Sequence, residues 1–451
     1  MLSADAGALT VRLPDLSPSY RLAGNAFDDE LRDFVDTQRH SMLPNFPHRS
    51  TSLDDVAQLY ISEVIELQYL LADRTITTLM IQTATEDAIA RDAMLLLSII
   101  NRNQRHRLPV AGDSEMGSLY RSISRIFHKP RLRQSFTASD AITALHTVSS
   151  FLFMGGRGEW KKWLAVAYVF SDEILRQPFL WSTPNAVQTE KLCFILSTAM
   201  WFDVLASVTL KQEPHFLNTY RALFDPTSAN SGANAMGMSG IGFMQTLHPP
   251  LAMITVMGCE NHVVWAMAEV SALAVWKAEQ KQYGRLSTPE LAERGLKIDQ
   301  WLLPRAGPLC PFAEILGQAR QHTADIFRAS TRLYLHAVLS DDCPYVLEIK
   351  ACVEDTITCL KKVSRADGGE LMRRIVRSVV FSIYLCGCLA ESELQVRYLS
   401  GLLAEQEQDH VGNCGDVRKL MEAVWEERRR SPVYSPVRWR DALHMQNLLL
   451  V

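Results

Sequence analysis

Apolar residues recur at the spacing of an α-helix through most of the chain beyond residue 50. A first helix is expected after Ser52, whose hydroxyl can cap the helix and which is followed by two acids in the first turn. A later helix is expected to begin with Thr288 as its N-cap and Pro289 in its first turn. Between and after these points, the periodicity predicts helices over residues 86–101, 138–153, 159–176, 191–210, 261–280, 314–339, 346–363, 371–390 and 416–430.

The same pattern argues against a β-sheet. Nowhere do several turn-bounded segments alternate between apolar and polar residues, as the strands of a sheet would. The stretch 191–210 is apolar on almost every side, which is typical of a buried helix. We therefore expect an all-α fold, a multi-helix bundle or superhelix of antiparallel helices joined by short loops.

Proline and glycine divide the chain into four parts. Residues 1–50 carry four prolines and little apolar periodicity, and we expect a loosely ordered N-terminal segment there. Residues 51–224 form a first predicted helical block, and residues 251–451 form a second. Residues 225–250, between the blocks, are rich in glycine, serine and asparagine and are predicted to be a flexible loop.

Composition and charge exclude several classes of protein. The 451 residues carry 46 lysines and arginines against 50 acids, so the formal net charge is -4 and a broad DNA-binding face is not expected. Nine cysteines without a regular framework indicate reduced thiols inside a cell. The first 24 residues do not resemble a signal peptide. The apolar runs 192–210 and 378–390 are interpreted as buried helices, and no membrane span is predicted.

The cysteines lack the spacing of a zinc site. Zinc holds its thiolate ligands at about 2.3 Å, so the ligands must converge tightly, and this sequence contains no C-x2-C pair. Cys352 and Cys359 lie on one predicted helix, where seven residues rise by about 10 Å. Cys386 and Cys388 point to different faces of another predicted helix. We therefore predict no metal-binding residues.

One glycine cluster and one pair of aspartates also fail as catalytic motifs. Gly237, Gly240 and Gly242 resemble a phosphate-binding loop, but no strand precedes them, and Ser239 does not follow the G-x-S-x-G order of a nucleophile elbow. Asp341-Asp342 is not part of the larger carboxylate cluster that a terpenoid cyclase needs for magnesium and diphosphate. We assign no catalytic and no cofactor-binding residue, and the chain is predicted not to be an enzyme.

Two charged features have a structural interpretation and a functional one. Asp203 interrupts an apolar helix, and its buried charge requires a partner, either an arginine or a backbone amide at a neighbouring helix end. A ligand-sensing role for Asp203 is the alternative. Arg428-Arg429-Arg430 could serve nuclear import, but these residues close a predicted helix that begins with an acid, which suits the helix dipole.

An ordered set of motifs carries a family resemblance. The three main motifs are Trp201-Phe-Asp-Val-Leu-Ala-Ser207, Met257-Gly-Cys-Glu260 and Ile298-Asp-Gln-Trp-Leu-Leu-Pro304. Supporting segments are Gly158-Glu-Trp-Lys-Lys-Trp163, Tyr334-Leu-His336 and Trp439-Arg-Asp441. In this order they resemble the C-terminal regulatory domain of fungal zinc-cluster transcription factors, the fungal-specific transcription factor domain. The resemblance covers residues 50 to 451 and is strongest from residue 195 onward.

The resemblance implies a nuclear regulator of RNA polymerase II genes, often of a metabolic or secondary-metabolite pathway. Its implied partners are other transcription factors or a second copy of the chain, together with a small-molecule effector. Because the six-cysteine zinc cluster of the family is absent from this sequence, DNA contact is expected only indirectly or through a missing N-terminal module. The alternative is a helical adaptor that binds another transcription factor and never contacts DNA.

Overall fold

The computed structural model describes residues 53–73, 75–107, 113–128, 135–177, 186–227, 251–303, 315–366, 370–408, 410–432 and 435–451. Within these ranges the chain forms α-helices, one 3-10 turn and no strand, so the predicted all-α fold is confirmed. The predicted N-terminal segment, the glycine cluster at 237–242 and Cys310 lie outside the described residues.

The helices are numbered in chain order. The first group comprises α1 (Leu53–Glu63), α2 (Ile65–Gln68), α3 (Thr75–Glu86), α4 (Ala88–Arg105), α5 (Asp113–Ser124), α6 (Ala138–Phe153), α7 (Trp160–Leu175), α8 (Ala186–Leu210) and α9 (Leu217–Leu223). The second comprises α10 (Met253–Met257), α11 (Asn261–Gln282), α12 (Thr288–Asp299), α13 (Ile315–Leu339), α14 (Leu347–Ala366), α15 (Glu370–Ser378), α16 (Val380–Leu389), α17 (Glu393–Glu407), α18 (Cys414–Arg430) and α19 (Trp439–Met445).

Side-chain caps set several helix boundaries. Thr137 and Asp140 form a reciprocal capping box at the start of α6, which has the bounds that the sequence predicts. Ser392 and Gln395 form a second box at the start of α17. Each box satisfies amide groups that the first helical turn leaves without a partner.

The structure corrects two predicted boundaries. The N-cap of α12 is Ser287, whose hydroxyl accepts the Glu290 amide at 3.3 Å, and Thr288 is the first helical residue. The predicted helix 371–390 is divided at Val379 (φ −112°, ψ 27°) into α15 and α16. Apolar residues recur without interruption across Val379, so the periodicity does not mark the break.

The longest apolar helix, α8, is almost wholly enclosed by other helices. It contacts α6 and α7, from before it in the chain, and α10, α11 and α19, from after it. Val187–Leu210 is long and apolar enough to cross a membrane, but 94% of its most apolar window is buried inside the protein. Packing by other helices therefore accounts for the hydropathy of α8.

The contacts of α8 bring the two predicted blocks together. Helices on both sides of residues 228–250 belong to one compact unit, since α8 and α9 both contact α11. The predicted boundary at 225–250 stays a prediction, because nearly all of that segment lies outside the described residues.

Gly387 allows α16 and α18 to pack closely. A Cβ at this position would overlap the side chain of Met421, which is fully buried and has little room to move. Gly387→Ala is therefore expected to lower the free energy of unfolding by about 1–3 kcal/mol through overpacking. Urea unfolding followed by circular dichroism measures this loss.

Gly401→Ala provides the matched control for this prediction. Gly401 is also inside a helix, α17, but a Cβ there meets nothing within 4 Å. This substitution is expected to raise the free energy of unfolding by up to about 1 kcal/mol, because alanine favours the helix. Changes of the same sign at both positions would contradict the role given to Gly387.

Candidate functional site

The three motifs that carry the family resemblance all contact one helix, α13. An aromatic contact, with ring centroids 4.9 Å apart, comes from the first motif, and carboxylates from the other two approach arginines of α13 at 3.9 Å and 2.8 Å. In chain order the pairs are Trp201–Phe327, Glu260–Arg328 and Asp299–Arg332. The motifs therefore mark the places where other segments are fixed against α13.

Asp203, in the first motif, caps a neighbouring helix. Its carboxylate accepts the backbone amides of His215 and Phe216 at 2.9 Å and 3.0 Å, just before α9 begins. The hydroxyl of Tyr220 lies 3.1 Å from the same carboxylate. Burial raises the pKa of Asp203, and the two backbone hydrogen bonds oppose this rise. Of the two predicted partners, the structure therefore shows the backbone amide at a neighbouring helix end.

The second motif makes the tight connection between α10 and α11. Gly258 has a left-handed backbone (φ 66°), and a Cβ there would overlap the side chain of Leu71. Asn261 then fastens the connection, because its side chain accepts the Met253 amide at 2.9 Å and donates to the Leu251 carbonyl at 2.8 Å. The motif is thus explained by backbone geometry.

Asp299, in the third motif, forms an ion pair at the surface of α13. Its carboxylate lies 2.8 Å from Arg332 Nε and 3.4 Å from His336 Nε2. Interaction with His336, followed by the hydrogen bond and charge of Arg332, lowers the pKa of Asp299 to about 2 against the opposing effect of burial. The folded state therefore favours the ionised carboxylate.

A cavity of about 470 Å³, lined by both charged and apolar side chains, lies at the C-terminal end of α13. We call it the charged cavity. It is lined by Ser207, Lys211, Gln212, Ser271, Ala274, Val275, Lys277, Ala278, Lys281, Tyr334, Val338, Asp341, Asp342, Pro436, Val437, Arg438, Arg440 and Asp441. Its walls thus come from α8, α11, α13 and the segment 436–441.

One side of the charged cavity contains a buried lysine at a helix end. The Lys277 ammonium donates to the carbonyls of Val338 and Leu339, at 2.5 Å and 3.1 Å, in the last turn of α13. It also lies 2.8 Å from Asp341, which Lys281 approaches at 2.5 Å. Burial lowers the pKa of Lys277, and Asp341 opposes this effect. One carboxylate therefore serves two ammonium groups.

Asp342 also lines the cavity. Its carboxylate accepts the Trp439 indole N–H at 2.9 Å and lies 3.4 Å from Arg440, and its backbone carbonyl accepts the Val437 amide at 3.0 Å. Burial raises the pKa of Asp342, and the charge of Arg440 opposes this rise. The turn at residues 341–342, which follows α13, therefore fastens the segment 436–441 against the end of that helix.

The sequence alone did not reveal the charged cavity. From the sequence, Asp341-Asp342 was considered only as a metal site, and that interpretation was rejected. The structure places both residues in ion pairs and hydrogen bonds with lysine, arginine and tryptophan. Lys277 and Lys281, four positions apart on α11, are the signal that could have been noticed. Their partners lie about 60 residues further along the chain, so local spacing carried no sign of the cavity.

The other sequence candidates remain structural. Among the described residues, no group of three histidine, cysteine or acidic side chains is placed to hold a metal ion. Cys386 and Cys388 are buried on α16, and burial raises the pKa of each thiol. Arg428 donates to the Ala390 carbonyl, and Arg429 and Arg430 approach Glu426. These arginines therefore have partners within the domain.

Comparison with known proteins identifies the family. A model of the fungal specific transcription factor domain matches residues 59–451. The chain belongs to this family. The match includes the three motifs, α13 and the whole lining of the charged cavity. No solved structure matches the chain.

Several named regulators are similar to this chain. The trichothecene biosynthesis transcription regulator TRI10 of Trichoderma arundinaceum is 29% identical over 199 residues, 44% of each protein. Its counterpart in Fusarium sporotrichioides is 28% identical over 194 residues, 43% of each protein. Transcription factor dibT of Pestalotiopsis microspora is 27% identical over 272 residues, 55% of this chain and 39% of its own length. The chain therefore spans less than half the length of these curated relatives.

Replacing Asp203 tests the capping role. Asp203→Asn removes one of the two carboxylate oxygens that accept amides, so the free energy of unfolding is expected to fall by about 1–3 kcal/mol. Asp441→Asn, which affects a half-exposed pair with Lys211, is expected to cost less than about 1 kcal/mol. Urea unfolding measures both variants, and equal losses would contradict the capping role.

Replacing Asp299 tests its pairing with α13 through pH. A lowered pKa means that the ionised carboxylate stabilises the fold above pH 4 and loses this effect as pH falls through about 2. Asp299→Asn is expected to lose about 1–2 kcal/mol at pH 7, a value reduced by partial solvent screening. Urea unfolding of the unchanged protein and of Asp299→Asn is measured from pH 7 to pH 2.5. The difference between their free energies of unfolding should become smaller as the pH falls.

Glu290→Gln is the control for the Asp299 prediction. Glu290 also pairs with an arginine, Arg294 at 2.8 Å, but on the exposed face of α12. Its replacement is expected to change stability little at any pH. A pH-independent loss in Asp299→Asn would show that the carboxylate acts through packing and that its charge is unimportant.

Proposed function

We propose that this chain regulates transcription of RNA polymerase II genes in a metabolic or secondary-metabolite pathway. The observation that carries the proposal is the family match over residues 59–451. Relatives named as regulators of trichothecene biosynthesis support the choice of pathway class. On this proposal the protein acts in the nucleus and is not an enzyme.

The helical domain would act through contacts with other molecules. Its partners are other transcription factors or a second copy of the chain, and the charged cavity is the place for a small-molecule effector. The sequence contains no C-x2-C pair from which a zinc cluster could be built. Sequence-specific DNA contact would therefore come from a module in a longer protein or from a partner factor.

Chromatin immunoprecipitation combined with transcript profiling tests this function. The native gene is tagged for the first measurement and deleted for the second, and reintroduction of the gene provides the control. We expect the protein to occupy promoters in one metabolic gene cluster, and transcripts of that cluster to change on deletion and recover on reintroduction. A cytosolic protein with unchanged transcripts would refute the proposal.

A DNA-binding measurement distinguishes direct from indirect action. The occupied promoter fragments are mixed with the purified 451-residue protein in a gel-shift assay. The net charge of -4 and the absence of a cysteine cluster predict no sequence-specific shift by this chain alone. A specific shift would show that the helical domain reads DNA itself.

A further inference from the structure

We propose that the charged cavity binds a small organic acid, with its carboxylate between Lys211, Lys281 and Arg438 and its apolar body against α11 and α13. Binding is a property of the cavity itself. Only the consequence of binding for transcription rests on the proposed function.

The first argument is that the cavity is a formed site with fixed charges. Its volume of about 470 Å³ falls within the usual range for small-molecule pockets. Lys277 is buried at its inner wall, where three oxygen atoms hold the ammonium group. The Arg440 guanidinium lies over the rings of Tyr334 and Trp439, with 5.9 Å and 5.5 Å to their centroids. These groups are held in place before any ligand arrives.

The second argument concerns the sign of the charge. Five cationic side chains line the cavity against three carboxylates, those of Asp341, Asp342 and Asp441. Asp341 is shared between two lysines, whereas Arg438 is exposed and has no ion pair among the described residues. The cavity therefore has more positive than negative groups. A ligand carboxylate supplies an ion-pair partner for Arg438 and a second one for Lys281 and Lys211, which already pair with Asp341 and Asp441.

The third argument separates an organic acid from an inorganic anion. Small and apolar side chains form the wall next to the cations, namely Ala274, Val275, Ala278, Val338, Pro436 and Val437. A hydroxyl chain from Ser207 through Ser271 to Tyr334, with oxygens 3.0 Å and 3.4 Å apart, also forms part of the lining. A fully hydrated ion would leave this apolar wall uncovered, whereas the carbon skeleton of an organic acid would bury it.

A carboxylate bound in the charged cavity would connect parts of the chain that are distant in sequence. Lys281 lies on α11, Lys211 follows α8, and Arg438 directly precedes α19. Without a ligand, the segment 436–441 is held by the burial of Trp439 against Tyr334 and Tyr384, by Asp342, and by the pair between Lys211 and Asp441. A carboxylate bound between the three cations would tighten this segment against α11.

Calorimetric titration with hexanoate and with 1-hexanol tests the proposal on the 451-residue protein. The two probes share an apolar body and differ in the carboxylate. At low ionic strength we expect one hexanoate to bind per chain and hexanol to bind at least tenfold more weakly. The reason is that a charge-assisted hydrogen bond lowers the dissociation constant by about one to two factors of ten. Absence of hexanoate binding, or equal binding of both probes, would overturn the proposal.

Variants that remove either a positive or a negative charge from the cavity locate the binding site. Lys281→Met and Arg438→Met should each weaken hexanoate binding by about tenfold. Asp341→Asn should tighten binding, because it releases Lys277 and Lys281 from a competing carboxylate. Asparagine also tolerates the left-handed backbone of this position (φ 57°).

Lys297→Met is the matched control, since Lys297 pairs with Glu293 on the exposed face of α12. It should leave binding unchanged, and circular dichroism should show that all variants fold. If Asp341→Asn weakens binding as Lys281→Met does, the charges only maintain the fold and the proposal fails. These results do not depend on promoter occupancy, so failure here leaves the regulatory function to its own test.

Discussion

The fold depends on the burial of α8. This helix is apolar on nearly all sides, so it is stable in water only when other helices cover it completely. Each fully buried Leu, Phe or Val contributes about 1.5–3 kcal/mol, and the coverage requires helices from both sides of residues 228–250. The requirement to enclose one apolar helix therefore unites segments that lie on either side of residues 228–250 in the sequence.

Polar residues within this apolar interior act as connectors. Asp203 lies on α8 and caps α9, so a costly buried carboxylate is compensated by two amides that would otherwise lack partners. Asp299 and Glu260 fix other segments to α13 through arginines. The motifs recognisable in the sequence thus record how helices are joined, which explains why they resemble a family and yet indicate no chemistry.

Prediction from sequence succeeded where the information was local. The predicted bounds of α6, taken from its periodicity, match the structure, and the long helices α11, α13 and α18 were recognised to within two residues at each end. The short helices α9 and α10 were missed, because seven and five residues hold too few turns to show a period. The sequence analysis also did not predict α3, α5 and α17, which have 12, 12 and 15 residues. The charged cavity was missed because it depends on contacts between residues that are far apart in the sequence. Lys277 precedes the turn at 341–342 by more than 60 residues, and Trp439 follows it by nearly 100.

That turn is the point where packing and the charged cavity are coupled. Asp341 and Asp342 both have left-handed backbones (φ 57° and 56°), which cost non-glycine residues about 1 kcal/mol or more each. The conformation persists because Lys277 and Lys281 hold the first carboxylate while Trp439 and Arg440 hold the second. A change in the charge balance of the cavity therefore acts directly on the end of α13. Since α13 also receives the three family motifs, a group that binds in the cavity would affect the helix on which the domain is assembled.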